Sequence, residues 1–343
     1  MIKYFLRKPK FILSFLFVTL LLTASFLYEP LFGDKEWPTG LMYDEQNNVI
    51  GAPPFTPLQY PPMGTDRFGM PLLAQVIQGA KYTVITAFLI STLQVLIAFV
   101  LSMFYTQLPR FVRRLFEGVV ESSLFIPASI IAYIILFPLQ YYIDPNLSTD
   151  NFYKLFIIQV IILTLLGIPQ LVTLFSKEIQ RELQQEYIMA SRTLGAKGVN
   201  LYRKHILPFM LPRLILQFSQ RTVEVLILFV HLGFLAVFLG GYVMKEVFDG
   251  EFQAFSLSYE WAGEIGKHFR SLSITPWQIY SPLLLFALTV LSFNMMAKSI
   301  QEFIHAVDLR RDTKKKKIAV KNNHHHTKNT DKPFDLINKS ANF

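Results

Sequence analysis

Residues 83–105 carry no charged side chain. An apolar run of that length can cross the ~30 Å hydrocarbon layer of a bilayer as a helix, the one open-chain structure that satisfies all its backbone groups internally. Five further stretches share the pattern: residues 11–27, 122–143, 155–176, 225–244 and 276–297. Pro127, Pro138, Gly167 and Pro169 fall inside or at the ends of two of them, which packed membrane helices tolerate. The chain therefore reads as an all-α integral membrane protein with six transmembrane helices. Charged residues make up 17% of its 343 residues, against about 25% in soluble domains, so two soluble domains are excluded. With no cysteine, disulfides, thiolate metal sites and cysteine nucleophiles are excluded as well.

The formal net charge of +9 follows the membrane rather than a nucleic acid, because Lys and Arg concentrate in alternate connections. Lys3, Arg7, Lys8 and Lys10 precede the first span, and Arg110, Arg113 and Arg114 follow the second. A basic loop joins spans four and five, and a basic tail follows span six. The intervening loops hold few cations, so both termini are expected in the cytoplasm, with the lipid bilayer as solvent. The basic start and apolar middle of the first span also fit a signal peptide, but the exit SFLYEPLF lacks a small-residue cleavage pattern, which favours a retained anchor.

The sequence divides into an N-terminal end and anchor (1–28), an extracytoplasmic Pro/Gly-rich segment (29–80), a five-helix core (81–300) holding a cytoplasmic loop (177–208), and a basic tail (301–343). The outer segment should be mostly irregular, with an interfacial helix from Pro71 into span two. Residues 245–273, with Trp261, read either as a helix lying in the interface with its aromatics at headgroup level or as a surface meeting an external partner. The tail, with RRDTKKKK and NNHHHTKNT, is expected to be disordered. Its three His residues have no fixed geometry, and no metal site is assigned.

The loop between spans four and five reads QQEYIMASRTLGAKGVNLYRKHILPFMLP. A helix ending at Gly195, a second short helix over 199–205 and Pro208 opening the next long helix make a compact cytoplasmic helix–turn–helix. This segment resembles the Glu-Ala-Ala loop of ABC importer permeases through Ala190, Ser191, Gly195, Ile206, Leu207 and Pro208, with Ala196 following the glycine. Met189 stands at the family's Glu position, and Glu186 lies one helical turn earlier. Three further segments resemble the dipeptide/oligopeptide/nickel permeases, second permease type. GTDRFGMPLLAQVIQGA matches through Gly64, Thr65, Asp66, Gly69, Leu73, Gly79 and Ala80, with Met70 and Pro71 replacing an Arg-Asp pair. EVLILFVHLG matches through Glu224, Phe229 and Gly233, with His231 replacing a Gly. PWQIYSPLLLFALTVLSFN matches through Pro276, Trp277, Pro282 and Asn294.

The resemblance implies the type I ABC importer permease fold and a loop that docks into an ATPase subunit. It also implies a second homologous permease, two cytoplasmic ABC ATPases that bind ATP and Mg, and an extracytoplasmic solute-binding protein. Peptides are the expected cargo, with nickel or metal-chelator complexes as the alternative. This chain has no GxxxxGK[ST] phosphate loop, so no ATP hydrolysis, catalytic residue or directly bound cofactor is expected of it.

Arg221, Glu224, His231 and Asn294 are polar groups within spans, where charge is expensive. Arg221 and Glu224, three residues apart, can pair at the inner end of span five, as a structural pair or as a gate. His231 and Asn294 read as helix-contact residues or pathway residues. Two other classes compete with the importer. A secondary transporter is disfavoured by the missing second repeat, and a non-transporting scaffold gains room from the departures at Met189, Met70, Pro71 and His231.

Overall fold

The structure, a computed structural model, describes residues 8–32, 41–43, 46, 49–142, 149–196, 198–248 and 251–330. Helix α1 spans Pro9–Phe32 and is apolar on all sides. A two-stranded hairpin follows, β1 (Met42–Tyr43) with β2 (Val49–Gly51). Helix α2, Leu72–Tyr105, is a single unbroken helix. It begins buried rather than interfacial: Leu72, Ala74, Gln75 and Val76 are all covered. The turn before it is set by Asp66, whose Oδ1 accepts from the Phe68 and Met70 amides at 2.9 Å each and whose Oδ2 accepts from Gln75 Nε2 at 2.8 Å. Gly64 and Gly69 take φ values of 79° and 78° in this turn, which explains the Gly-Thr-Asp-…-Gly spacing.

The third expected span, residues 122–143, is carried mainly by a helix that follows a sharp bend. Helices α3 (Arg110–Ser123) and α4 (Ala128–Tyr142) meet at 83°. Pro127 ends the first direction, because proline cannot donate in a continuing helix. With Arg110, Arg113, Arg114, Glu117 and Glu121, α3 is too charged to cross hydrocarbon. Among the described residues five helices are long and apolar enough to span, and six if this bent pair counts as one. Helix α5 (Thr149–Leu183) packs along α2. Two short helices, α6 (Glu186–Thr193) and α7 (Gly198–Leu201), and a π-turn at Tyr202–Ile206 lead into α8, Leu207–Phe234. Beyond it lie an antiparallel hairpin, β3 (Tyr242–Phe248) with β4 (Glu251–Ser256), the short helix α9 (Trp261–Phe269), and α10 (Trp277–Thr330).

Three sequence expectations change here. The fifth span stops at Phe234 instead of reaching Met244, since the chain turns at 235–241 and becomes strand. Its alternating YVMKEVF and EFQAFS segments suit a pleated pair better than a helix. Residues 245–273 thus hold a hairpin and α9, not one interface-lying helix. The last helix runs past Arg310 to Thr330, where the sequence suggested an irregular tail. Lys- and Arg-rich segments have good helix propensity and extend a helix already nucleated upstream. Residues 331–343 lie outside the described residues.

Two apolar cores stack along the bundle. The outer one joins Val76, Val84, Ile90, Leu163, Leu226, Phe229, Trp261 and Phe293. The inner one joins Phe99, Phe175, Ile179, Ile188, Leu201, Ile206 and Met210. Outward faces are apolar too, with Leu20 59% and Leu165 59% exposed. In water such a girdle would drive aggregation, whereas in hydrocarbon it is solvated.

Candidate functional site

The loop predicted to form a helix–turn–helix knob has that shape. Helix α6 starts after Gln185, whose backbone is extended (φ −71°, ψ 142°), and carries Glu186 in its first turn, where an acid suits the helix dipole. It ends in a left-handed cap. Gly195 has φ 93° and the Ala196 amide donates to the Ser191 carbonyl at 3.0 Å, the six-to-one bond of a Schellman motif. A Cβ at Gly195 would meet nothing within 4 Å, so glycine is required there for its conformation alone.

Glu186, Met189 and Ala190 are exposed and Ser191 and Ala196 half-buried, while Ile206 is buried in the inner core and Leu207 and Pro208 are exposed at the start of α8. Sequence reasoning missed the tip. Leu194 is 89% and Val199 80% exposed, two apolar side chains flanking the glycines at the far end of the knob. Their signal was in plain view, as apolar residues in an otherwise polar loop. Ile188 and Leu201 were missed as well, and with Ile206 they root the knob in the core of α5 and α2. Ser191 Oγ lies 3.2 Å from His205 Nε2, the Tyr187 ring lies beside His205, the Tyr187 hydroxyl donates to Glu182, and Thr106 Oγ1 lies 3.3 Å from the Tyr202 hydroxyl. The short helix expected over 199–205 is instead α7 plus the π-turn, continuous with α8. Pro208 has no N–H for the Lys204 carbonyl and its ring crowds it, and a wider turn relieves both.

Within the spans, Arg221 Nη1 pairs with Glu224 Oε2 at 2.7 Å, and Arg221 Nη2 donates to Gln170 Oε1 of α5 at 2.8 Å. The sequence put this pair at the inner end of the fifth span. Because α8 starts at Leu207 and ends at Phe234, Glu224 instead lies beyond its midpoint. Arg221 is buried, but the Glu224 side chain is 56% exposed on the outside of the chain. His231 is exposed on α8 and Asn294 on α10. Among these four, only Arg221 and Glu224 are joined directly.

A third feature had no place in the sequence reading as a site. The turn at 235–241 is clamped by two glutamines. Gln140 Nε2 donates to the Ala236 carbonyl and its Oε1 accepts from the Phe238 amide, both at 3.0 Å. Gln159 Nε2 donates to the Phe238 carbonyl at 2.9 Å and its Oε1 accepts from the Gly240 amide at 2.8 Å. Helix α9 is then wedged against α2 and α8 at backbone contact. A Cβ on Gly79 would overlap the Tyr259 carbonyl, one on Gly233 the Ala262 carbonyl, and one on Gly266 the Gly233 carbonyl. Trp261 is fully buried, donating from Nε1 to the Val76 carbonyl at 2.7 Å and from its amide to Thr83 Oγ1 at 3.0 Å. It faces neither lipid nor the surface of the chain, because the bundle covers it.

Glu260 caps α9, accepting from the Gly263 amide at 2.8 Å. Burial pushes its carboxyl up to about 7, against the opposing pull of the amides of Gly263 and Leu239. Glu264 is buried as well, but Lys267 at 2.7 Å and His268 at 3.4 Å overcome the burial and hold it down at about 2. Burial and the Lys267 charge both lower His268.

Residues 94–306 match the family described as "Binding-protein-dependent transport system inner membrane component". The chain belongs to that family. Its fold is therefore the type I ABC importer permease fold, and the protein is a multi-pass membrane permease component. The matched segment contains the knob, the Arg221–Glu224 pair and the clamped outer turn with α9. The permease is 25% identical over 244 residues to the peptide transport system permease protein SapC of Salmonella typhimurium, covering 71% of this chain and 73% of SapC. It is 23% identical over 244 residues to SapC of Escherichia coli O6:H1, with the same coverage. It is 22% identical over 239 residues to the dipeptide transport system permease protein DppC of Alkalihalophilus pseudofirmus, covering 70% of this chain and 69% of DppC. Gly79 and Gly233, two of the positions that carried the resemblance, are those where α9 touches backbone.

Proposed function

We propose that this permease forms one half of a peptide-translocating pathway in a bacterial cytoplasmic membrane, with both termini cytoplasmic. A homologous permease supplies the other half. Two ABC ATPases bind ATP and Mg and receive the knob, and an extracytoplasmic binding protein delivers substrate. The observation that carries this reading is the knob itself: an exposed apolar tip, Leu194 and Val199, rigidly rooted through Ile188, Leu201 and Ile206. Exposed apolar side chains on a polar, cytoplasm-facing loop suit a groove on a soluble partner. With Met189 at the position of the family's glutamate, contact by shape and burial supports docking better than a salt bridge does. The peptide assignment is supported by the names of SapC and DppC as peptide and dipeptide transport permeases.

The test is coexpression with candidate ATPases and a sister permease. Leu194→Asp and Val199→Asp should leave the chain in the membrane but release the ATPases and reduce peptide uptake by about tenfold or more, the effect of losing ~1.4 kcal/mol or more at a buried interface anchor. Unchanged assembly and unchanged uptake in both variants would sink the coupling reading.

A further inference from the structure

Helix α8 carries a polar stripe of which the family motif covers only Glu224. Arg213, Gln217, Gln220, Glu224 and His231 follow one another at spacings of four, three, four and seven residues. On a helix of 3.6 residues per turn these positions fall within about 60° of one another. From Arg213 to His231 the stripe covers about 27 Å, nearly the ~30 Å thickness of the hydrocarbon. The opposite face of α8, with Thr222, Leu226 and Phe229, is buried in the bundle. The stripe itself is half-buried at Arg213, Gln217 and Gln220 and open at Glu224 and His231. Helix α5 contributes along the same side, through Glu178 to Arg213 at 3.3 Å and through Gln170 to Arg221 at 2.8 Å.

A row of polar groups through a membrane cannot face lipid, because each would lose its water without compensation. We infer that this stripe, with Gln170 of α5, is this chain's water-lined wall of the translocation pathway, and that it takes extended peptides without regard to their side-chain charge. The inference rests on the pathway reading above and assigns its surface. Two features set the ligand class. The ionic groups along the stripe are matched within the chain, Arg213 by Glu178 and Arg221 by Glu224, so no fixed net charge selects the cargo. Gln217 and Gln220, joined at 2.9 Å, present amides that both donate and accept, as a peptide backbone does at every residue.

The chain has no cysteine, so single cysteines can be read without a prior background removal. Gln217→Cys, Gln220→Cys and His231→Cys are placed in the full transport system in right-side-out and inverted vesicles. They are compared with Leu96→Cys and Leu291→Cys, outward apolar positions on α2 and α10. A charged, membrane-impermeant thiol reagent should label the stripe about tenfold faster than the controls, since thiolate chemistry needs water, and tri-alanine should slow that labelling. Labelling at the control rate in vesicles that still import peptide overturns the stripe. Cross-linking of these cysteines to the sister permease through a thiol-attached photoreactive group, with no labelling by the impermeant reagent, makes the face a subunit seam and overturns it too. Labelling that tri-alanine does not slow overturns the peptide assignment. Uptake by the unmodified system is measured in the same vesicles, so loss of transport altogether counts against the functional reading and not against the stripe.

Discussion

Trp261 and Glu260 are adjacent, and each makes a different demand on the outer end of the permease. Trp261→Phe keeps most of the buried area but removes the indole donor from the Val76 carbonyl, a loss of about 1 kcal/mol, whereas Trp261→Ala should cost about 3–5 kcal/mol. A detergent melt that ranks the two equally would mean the indole N–H matters and the packing does not. Glu260 makes stability depend on pH. Its carboxyl is raised in the fold from 4.5 to about 7, so the folded chain holds that proton more tightly than the unfolded one. Stability from this group is full below about pH 4.5 and declines as pH rises through about 7. Glu260→Gln should flatten that slope between about pH 5 and pH 8 in a thermal-shift series, and an identical slope in both proteins would remove Glu260 from the account. Glu264 has the opposite sign. Held at about 2, it loses its contribution only as pH falls toward that value. None of this was legible in the sequence, where Glu260, Glu264 and Lys267 read as ordinary charges of an outer loop. Only the three-dimensional fold buries them together.

At the level of elements, the spans were legible because hydrocarbon permits so few structures, and the knob was legible because Gly195 and Pro208 mark its turn and its exit. The outer turn and α9 were not legible, because their hold on the bundle is made by absent side chains. Gly79, Gly233 and Gly266 matter for what they leave out. Alanine at Gly79 or Gly266 should force α9 off the bundle and expose the β3–β4 hairpin to protease, while Gly118→Ala, with nothing within 4 Å of its Cβ, should be neutral. Equal protease resistance in all three variants would show that the contacts yield. The bend between α3 and α4 was half legible. Pro127 was visible within the expected span, and the arginines of α3 were placed in the loop before it. The angle between the two helices leaves no mark on an apolar count.

In the whole molecule, the knob and the α9 wedge sit at opposite ends of the same two helices. The knob is fixed to the inner ends of α2 and α8 through Ile188, Leu201 and Ile206, and α9 is fixed to their outer ends through Gly79, Gly233 and Trp261. Helix α2 is unbroken for 34 residues, about 51 Å. Backbone in direct contact with backbone leaves α9 no clearance to slide, and packed interiors transmit displacement rather than absorb it. A shear of α9 along its neighbours is therefore closed to this fold, and a tilt of the whole assembly is open to it. A displacement of the knob tip, Leu194 and Val199, would therefore be carried to α9 at the other end of α2 and α8 rather than absorbed between them.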